Sequence, residues 1–422
     1  MKEAIKIKCV LVLVIVLYSS SCIFSQTNFI WGKQFGSSKD EVAFNVAADP
    51  EGNIFIAGYT SGALDGQNKG GADGFISKLD SVGNLIWTKQ IGSDKDDIIN
   101  WICIDKSGCV YVTGATRGIL NERNFGKEDI LVAKLDNTGN LKWQKQFGSD
   151  STDVGNVIYA DDRGDVYIAG ATKGLIGGSQ FGKADCFILK LDSDGNKIYA
   201  NQFGTPEGDE CRGLTKDADS NIYVCGNTWG DLACKNKGYN DAFVAVFKDN
   251  GEQIKLIQFG TNSYDGASCL KVDKDKNIYV GGSTGGDLAE KQLGEGDAFL
   301  TKINLQGEFL WTKQFGTKRW DGILGIDLKE NVSDNIVVSG CQRWPECQSF
   351  CKMFSKNGDQ LWVRNSTATG KNGGTCGKGV CLTDTGYVLH TGQTGANLFN
   401  STAGEHDIFI YKLELDKGST KK

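Results

Sequence analysis

Carboxylates recur at fixed places in this 422-residue chain. Glu41, Asp97, Asp153, Asp209, Asp265 and Asp321 form one series, and Asp73, Asp129, Asp185, Asp241, Asp297 and Asp407 form a second. Two neighbouring carboxylates can divide the work of acid and base. Such a pair is needed once, however, and not in every repeat. An Asp that accepts backbone N–H groups in a turn explains the repetition better, so both series read as structural. A third pattern is Asp-x-Asp-x-Asn, as in Asp217-Ala-Asp219-Ser-Asn221 and Asp273-Lys-Asp275-Lys-Asn277. Alternating oxygens of this kind suit calcium. The segment is too short for a calcium loop and lacks the distant bidentate Glu. It also becomes DPEGN or DKSGC elsewhere. A tight hairpin turn is the reading, and a calcium ion is the alternative. Histidine-based catalysis and zinc chemistry have only His390 and His406 to draw on. A phosphate loop and H-E-x-x-H are both missing from the sequence. No catalytic residue is assigned.

The chain has 14 Cys. Cys103 and Cys109 are symmetric about residue 106, and Cys211 and Cys225 about residue 218. Both pairs are therefore candidates for disulfides across equivalent hairpins in an exported protein. Neither pair recurs in other repeats, and small buried thiols are the alternative. Cys341, Cys347 and Cys351 lie close in sequence with no His beside them, and no metal site is read from them.

These residues must be positioned by a repeat. FIWGKQFG (29–36) returns as LIWTKQIG, LKWQKQFG and FLWTKQFG. Trp31, Trp87 and Trp143 are 56 residues apart, and the frame continues through Tyr199, Lys255 and Trp311. The last interval shortens to 51 residues, at Trp362. A long fixed period marks a repeat architecture. Each unit holds two β-prone hairpins, such as NVAADPEGNIFIAGYT (45–60) and DGFISKLDSVGNLIWTKQIG (73–92). That predicts four strands per unit, here called a to d, and the opening phrase is a d strand. Seven a–b–c sets follow a lone first d, and the final c run, IFIYKLEL (408–415), has no d after it. Open ends would expose unpaired strand edges. Closing the array pairs 29–36 with 408–415 and predicts an all-β, seven-bladed β-propeller of four-stranded blades.

The copies GNIFIAGYT (52–60), ADGFISKLDSVGNLIW (72–87), Asn277–Thr284 and GDAFLTKI (296–303) carry a resemblance to the bacterial SBBP, or β-propeller-repeat, family. It covers about residues 29–416 and implies the fold, together with export or attachment at the cell surface. It implies no activity. LDNTGNLKW (135–143) is also similar to the tryptophan-docking repeat of quinoprotein propellers, but no cofactor-binding centre accompanies it.

Short a–b and c–d turns leave one face plain, while the d–a and b–c loops crowd the other. Loops on a rigid scaffold usually carry function. Trp229 and Trp344 fall in b–c loops, and Tyr264 and Trp320 in d–a loops, with Arg343 beside Trp344. These residues form the candidate binding site, where a sugar or peptide would stack. Residues 1–25, with Lys2, Lys6 and Lys8 before an apolar run, read as an export signal. Cys22 resembles a lipoprotein acceptor, though Ser19 stands where that family has Leu; cleavage after Ser25 is the alternative. The propeller then spans 26–417 and a tail spans 418–422. The formal charge of −6 and the scattered basic residues exclude a nucleic-acid surface. A monomeric, non-enzymatic binding or scaffold protein for a protein or glycan partner is expected. It would meet the membrane only through a lipid anchor. The alternative is an envelope lyase or hydrolase with carboxylates around the central channel.

Overall fold

A computed structural model describes residues 29–415 except 122, 345 and 367–373. The expected export signal with Cys22, and the tail 418–422, lie outside the described residues. Seven four-stranded antiparallel sheets account for all the strands. The first blade is built of Glu41–Ala48, Ile54–Thr60, Asp73–Leu79 and Leu85–Ile91, in that order from the centre outward. The a strands of all seven blades line one central cavity. No described helix is long and apolar enough to cross a membrane.

Ring closure follows the expectation. Phe29–Phe35 is the outer strand of the seventh blade, antiparallel to Asp407–Glu414. Lys33 lies opposite Ile410 and Phe35 opposite Ile408. A side chain spans the same seam: the Gln34 amide donates to Asp407 at 3.1 Å and to the Ala396 carbonyl at 3.3 Å.

The b and c strands are buried on both faces, and the inter-blade cores are filled by their large side chains. Phe55, Tyr111, Tyr167, Tyr223 and Tyr279 repeat at one b position, and Phe75, Phe187, Phe243, Phe299, Phe350 and Phe409 at one c position. Each a strand carries a bulge near its start, such as Ile99/Trp101 and Cys211/Gly213. A bulge adds local twist, which helps each sheet turn as it leaves the channel. The repeating d-strand Trp packs on the c–d turn of the next blade. A Cβ on Gly195 would lie 3.0 Å from the Trp143 ring, and the Trp143 indole N–H donates to the Ser193 carbonyl at 3.0 Å.

The a–b turns are hairpins. Asp217 uses one oxygen to accept the Asn221 backbone N–H at 2.8 Å and the other to accept its side-chain amide at 2.8 Å. Asp273 engages Asn277 in the same way. The middle acid, Asp219, points instead to Lys276 of the next blade.

Candidate functional site

The long-loop face is held in place by both carboxylate series. The c-strand acid caps the b–c loop: Asp185 accepts the Phe181 N–H at 2.8 Å and the Gln202 amide at 2.7 Å. Gln202 in turn donates to the Gly174 carbonyl at 2.9 Å and accepts the Ile176 N–H at 3.1 Å. Gln90, Gln146, Gln258 and Gln314 repeat the link to their own c-strand acids. The a-strand acid caps the d–a loop: Asp265 accepts both the N–H and the hydroxyl of Thr261, at 2.6 and 2.8 Å. Burial pushes Asp97, Asp129, Asp209, Asp265 and Asp321 above the usual carboxylate range, with a further contribution from the neighbouring blade's acid. The glycine of QFG clears this crowding: on Gly148 a Cβ would lie 2.3 Å from Asp129 and 3.2 Å from Asp153. The opening phrase thus has a function at each marked letter. Its Trp docks on the next blade, its Gln anchors a loop, and its Gly separates two acids.

Gln202→Ala removes one of the two hydrogen bonds described for the buried Asp185 carboxylate and takes the Gln202 partner from two loop backbone groups. We expect a loss of about 2–3 kcal/mol in denaturant unfolding, from stranded buried polar groups. Amide exchange should quicken across residues 174–184. A loss below about 0.5 kcal/mol, the range of ordinary surface substitutions, would refute the anchoring role.

Of the expected binding residues, Trp229 is 43% exposed, its backbone N–H donating to Gly208 O at 2.9 Å. Tyr264 and Trp320 are half-buried and meet over Gly296, where a Cβ would lie 2.1 Å from the Tyr264 hydroxyl and 2.7 Å from the Trp320 ring. The Tyr264 hydroxyl donates to the Glu295 carbonyl at 2.6 Å. Both rings therefore cover backbone of a neighbouring b–c loop. Arg343 is exposed at φ 63°, and its N–H donates to Asp321 at 3.2 Å. Trp344 ends the strand Ser333–Trp344 opposite Trp320, and its side chain lies outside the described residues.

Other residues on this face are more exposed. Tyr239 is 77% exposed, and Ile119, Leu175, Phe181 and Leu293 are also exposed on b–c loops. With Trp229 they form an apolar crown over blades two to five. Ion pairs lie among them: Arg117 with Asp96 and Glu128, Lys183 with Glu207, and Arg319 with Glu295. A signal was present in the sequence, since Ile119 and Leu175 are one period apart and Phe181 and Leu293 two.

The central cavity measures about 280 Å³. Trp101 and Tyr159 line it, with Cys103, Cys269 and Cys381. Asp327 is the one carboxylate among its described lining residues. Burial opposes its charge, yet Lys271 at 2.9 Å and the Leu382 N–H at 2.7 Å hold it below the usual carboxylate range. Neither recurrent acid series faces this cavity. Burial pushes the Cys103 and Cys381 thiols up to about 12, which leaves them protonated and poorly nucleophilic.

The four cysteines named as disulfide candidates are free thiols. The turn centres on residue 107, so Cys103 faces Tyr111 rather than Cys109. The a-strand bulge sets Cys211 opposite Gly226, and Cys225 then points into the next core. Cys351 lies apart from Cys341 and Cys347, in the core with Met353 and Trp362. The thiol that joins those two is Cys376, from blade seven.

Seven closed four-stranded blades with short plain-face turns define a β-propeller. The β-propeller repeat model SBBP matches residues 30–64 and 198–233, and the fold around those segments is a seven-bladed β-propeller. It is similar to regulatory protein FlaEY of Caulobacter vibrioides, 21% identical over 329 residues, covering 69% of this chain and 33% of that protein. The chain thus spans about a third of that relative's length. Among solved structures it is similar to the Neurospora crassa Pan2 WD40 domain (TM-score 0.51, 11% identity, 87% and 88% of the two chains). It is also similar to YCF48 bound to D1 peptide (TM-score 0.49, 9% identity, 93% and 96%). At 11% identity the likeness to the Pan2 domain speaks for the fold alone.

Proposed function

We propose that this propeller is a non-enzymatic binding protein that holds a protein partner on its long-loop face. The supporting observation is the apolar crown of Ile119, Leu175, Phe181, Trp229, Tyr239 and Leu293, set among ion pairs on loops that buried acids and glutamines fix in place. Exposed aromatics on a rigid support lose little conformational freedom on binding and commonly supply most of the affinity. The charged groups between them would orient the encounter. Aliphatic side chains beside the aromatics favour a protein over a glycan. The distant relative is described as a regulatory protein, which suits a binding role. In this reading the chain is exported, works as a monomer and is held to a membrane by a lipid on Cys22. The envelope-enzyme alternative has little to work with, because the cavity's Asp327 is already paired with Lys271.

A photocrosslinking residue at position 239 would capture the partner from envelope extract, and the purified pair would then be titrated. The Trp229→Ala/Tyr239→Ala variant should bind at least about 30-fold more weakly, as expected for a hot spot worth about 2 kcal/mol. Trp320→Ala should have a smaller effect, since its ring covers loop backbone. Unchanged affinity in the double variant would overturn the assignment of this face. Saturable binding of a glycan, with no protein crosslinked, would overturn the choice of a protein ligand.

A further inference from the structure

The regular loop anchors lapse at one place, the boundary of blades six and seven. Gln348 stands where Asp297 begins the preceding c strand, and Asn365 where Gln314 reaches it. Thr375 stands where Asp321 serves blade six, and its hydroxyl meets the Thr394 hydroxyl at 3.1 Å. Three buried thiols occupy this boundary. Cys341 comes from the end of the b strand of blade six, Cys347 from its b–c loop, and Cys376 from the second residue of Thr375–Leu382. Their sulfurs all lie within 4.8 Å of one another.

We propose that Cys341, Cys347 and Cys376 form a three-thiolate site for a soft d10 metal ion, Zn(II) or Cu(I), that ties blade six to blade seven. Metal–sulfur bonds near 2.3 Å place the sulfurs of such a site about 3.8–4.0 Å apart, so the cluster needs only a small inward movement. The site is built from three chain segments and braced by backbone. The Thr375 N–H donates to the Cys347 carbonyl at 2.7 Å. Gly374 permits that approach, because a Cβ there would lie 2.3 Å from the same oxygen. Leu324 packs against the thiols and keeps one side apolar. The sulfurs have weak alternatives as partners: Cys341 Sγ is 3.9 Å from Gln342 O, and Cys376 Sγ is 4.0 Å from Gly377 O.

The donor set selects the ion. All three ligands are soft sulfur, which suits Zn(II) and Cu(I) over Mg(II), Ca(II) or Mn(II). His390 lies close to Cys376 but is not available as a ligand. Its Nδ1 donates to the Gly379 carbonyl at 3.0 Å, so its Nε2 accepts the Ser349 hydroxyl at 2.7 Å. Each thiol that binds gives its proton to solvent. Zn(II) would take a fourth ligand from outside this trio, whereas Cu(I) is satisfied by three. The ion would supply the inter-blade tie that an acid and a glutamine supply elsewhere.

The full chain, purified under reducing conditions and stripped of metal, should be titrated in parallel with Zn(II), Co(II) as its spectroscopic stand-in, and Cu(I). One ion per chain should remain after desalting, with a sulfur-to-cobalt charge-transfer band in the Co(II) arm and a higher melting temperature. X-ray absorption on the unmutated protein should show three sulfur neighbours, which tests the site without any substitution. Cys347→Ser and Cys376→Ser should lose the ion, and Cys351→Ala should keep it. Failure to retain Zn(II), Co(II) or Cu(I), a first shell of nitrogen and oxygen, or retention in both serine variants would overturn the proposal. So would a mass two hydrogens lower with two of these cysteines joined as a disulfide. Loss of the metal with partner binding intact would leave the proposed binding face untouched.

Discussion

A chain lacking residues 1–36 should fail to form a cooperative propeller. The deletion removes the fourth strand of blade seven, including Trp31 and Phe35, which pack against the core of Val46, Ile54, Phe75 and Ile408. It also removes Gln34, whose side-chain Oε1 accepts the Leu398 and Phe399 N–H groups at 2.9 and 3.2 Å. Burying two aromatic side chains is worth about 1.5–3 kcal/mol each, and the stranded polar groups add about 1–3 kcal/mol more. Together these rival the ~5–15 kcal/mol that stabilises a typical domain. The exposed edge of Asp407–Glu414 would also be free to pair with other chains. Moving 29–36 to follow residue 415 through a short linker should restore folding, because Phe29 already lies opposite Leu413. Circular dichroism, denaturant unfolding and light scattering would read both variants. A cooperative, monomeric fold in the truncated chain would show that the seam is dispensable.

Lys352→Met should stabilise the protein by about 1–3 kcal/mol at pH 7. Lys352 stands in the c strand of blade six where Thr301 stands in blade five. Burial pushes its amine down to about 8, against a weaker opposing pull from Asp321. The amine lies 3.6 Å from the Phe315 ring centre, which returns part of the cost of desolvation. The pH dependence has a definite sign. The unfolded chain holds this proton up to about 10.5, whereas the folded chain releases it from about 8, so stability contributed by this site rises with pH between those values. The advantage of Met should therefore be full below pH 8 and fade towards pH 10.5. Unfolding curves of both proteins at pH 7, 9 and 10.5 would measure it. A destabilised variant with the same deficit at every pH would mean that the amine is not shifted and that packing of the side chain, rather than its charge, sets its contribution.

The architecture was legible because its signals repeat. Strand alternation, turn residues and the fixed spacing of Trp31, Trp87 and Trp143 each pointed to the same blades, and the unmatched first d strand pointed to closure. The structural role of the acids was legible for the same reason, since twelve carboxylates in register cannot all be catalytic. The glutamine of the repeating phrase was overlooked because its partners are far off in sequence, as Gln34 and Asp407 show. Hairpin register was harder. A turn centred on residue 107 instead of 106 separates Cys103 from Cys109, and the bulge does the same for Cys211 and Cys225. The thiol trio joins different blades, and nothing in local spacing distinguishes Cys376 from Cys351. Exposure was least legible. Tyr264 and Trp320 fold onto glycines of neighbouring loops, while Tyr239, passed over in the sequence, stands clear.

The seam has a mechanical side. Phe29 and Leu413 face each other at the same end of one antiparallel pair, on the plain face. Both ends of the described chain therefore lie at that face. A tether at either end would hold the disc from behind and turn the loops outward. Pulled apart, the two ends would peel the pair rung by rung, loading one hydrogen-bonded step at a time instead of the whole strand in shear. The ring would open at this seam under low force, long before any other blade bore the load.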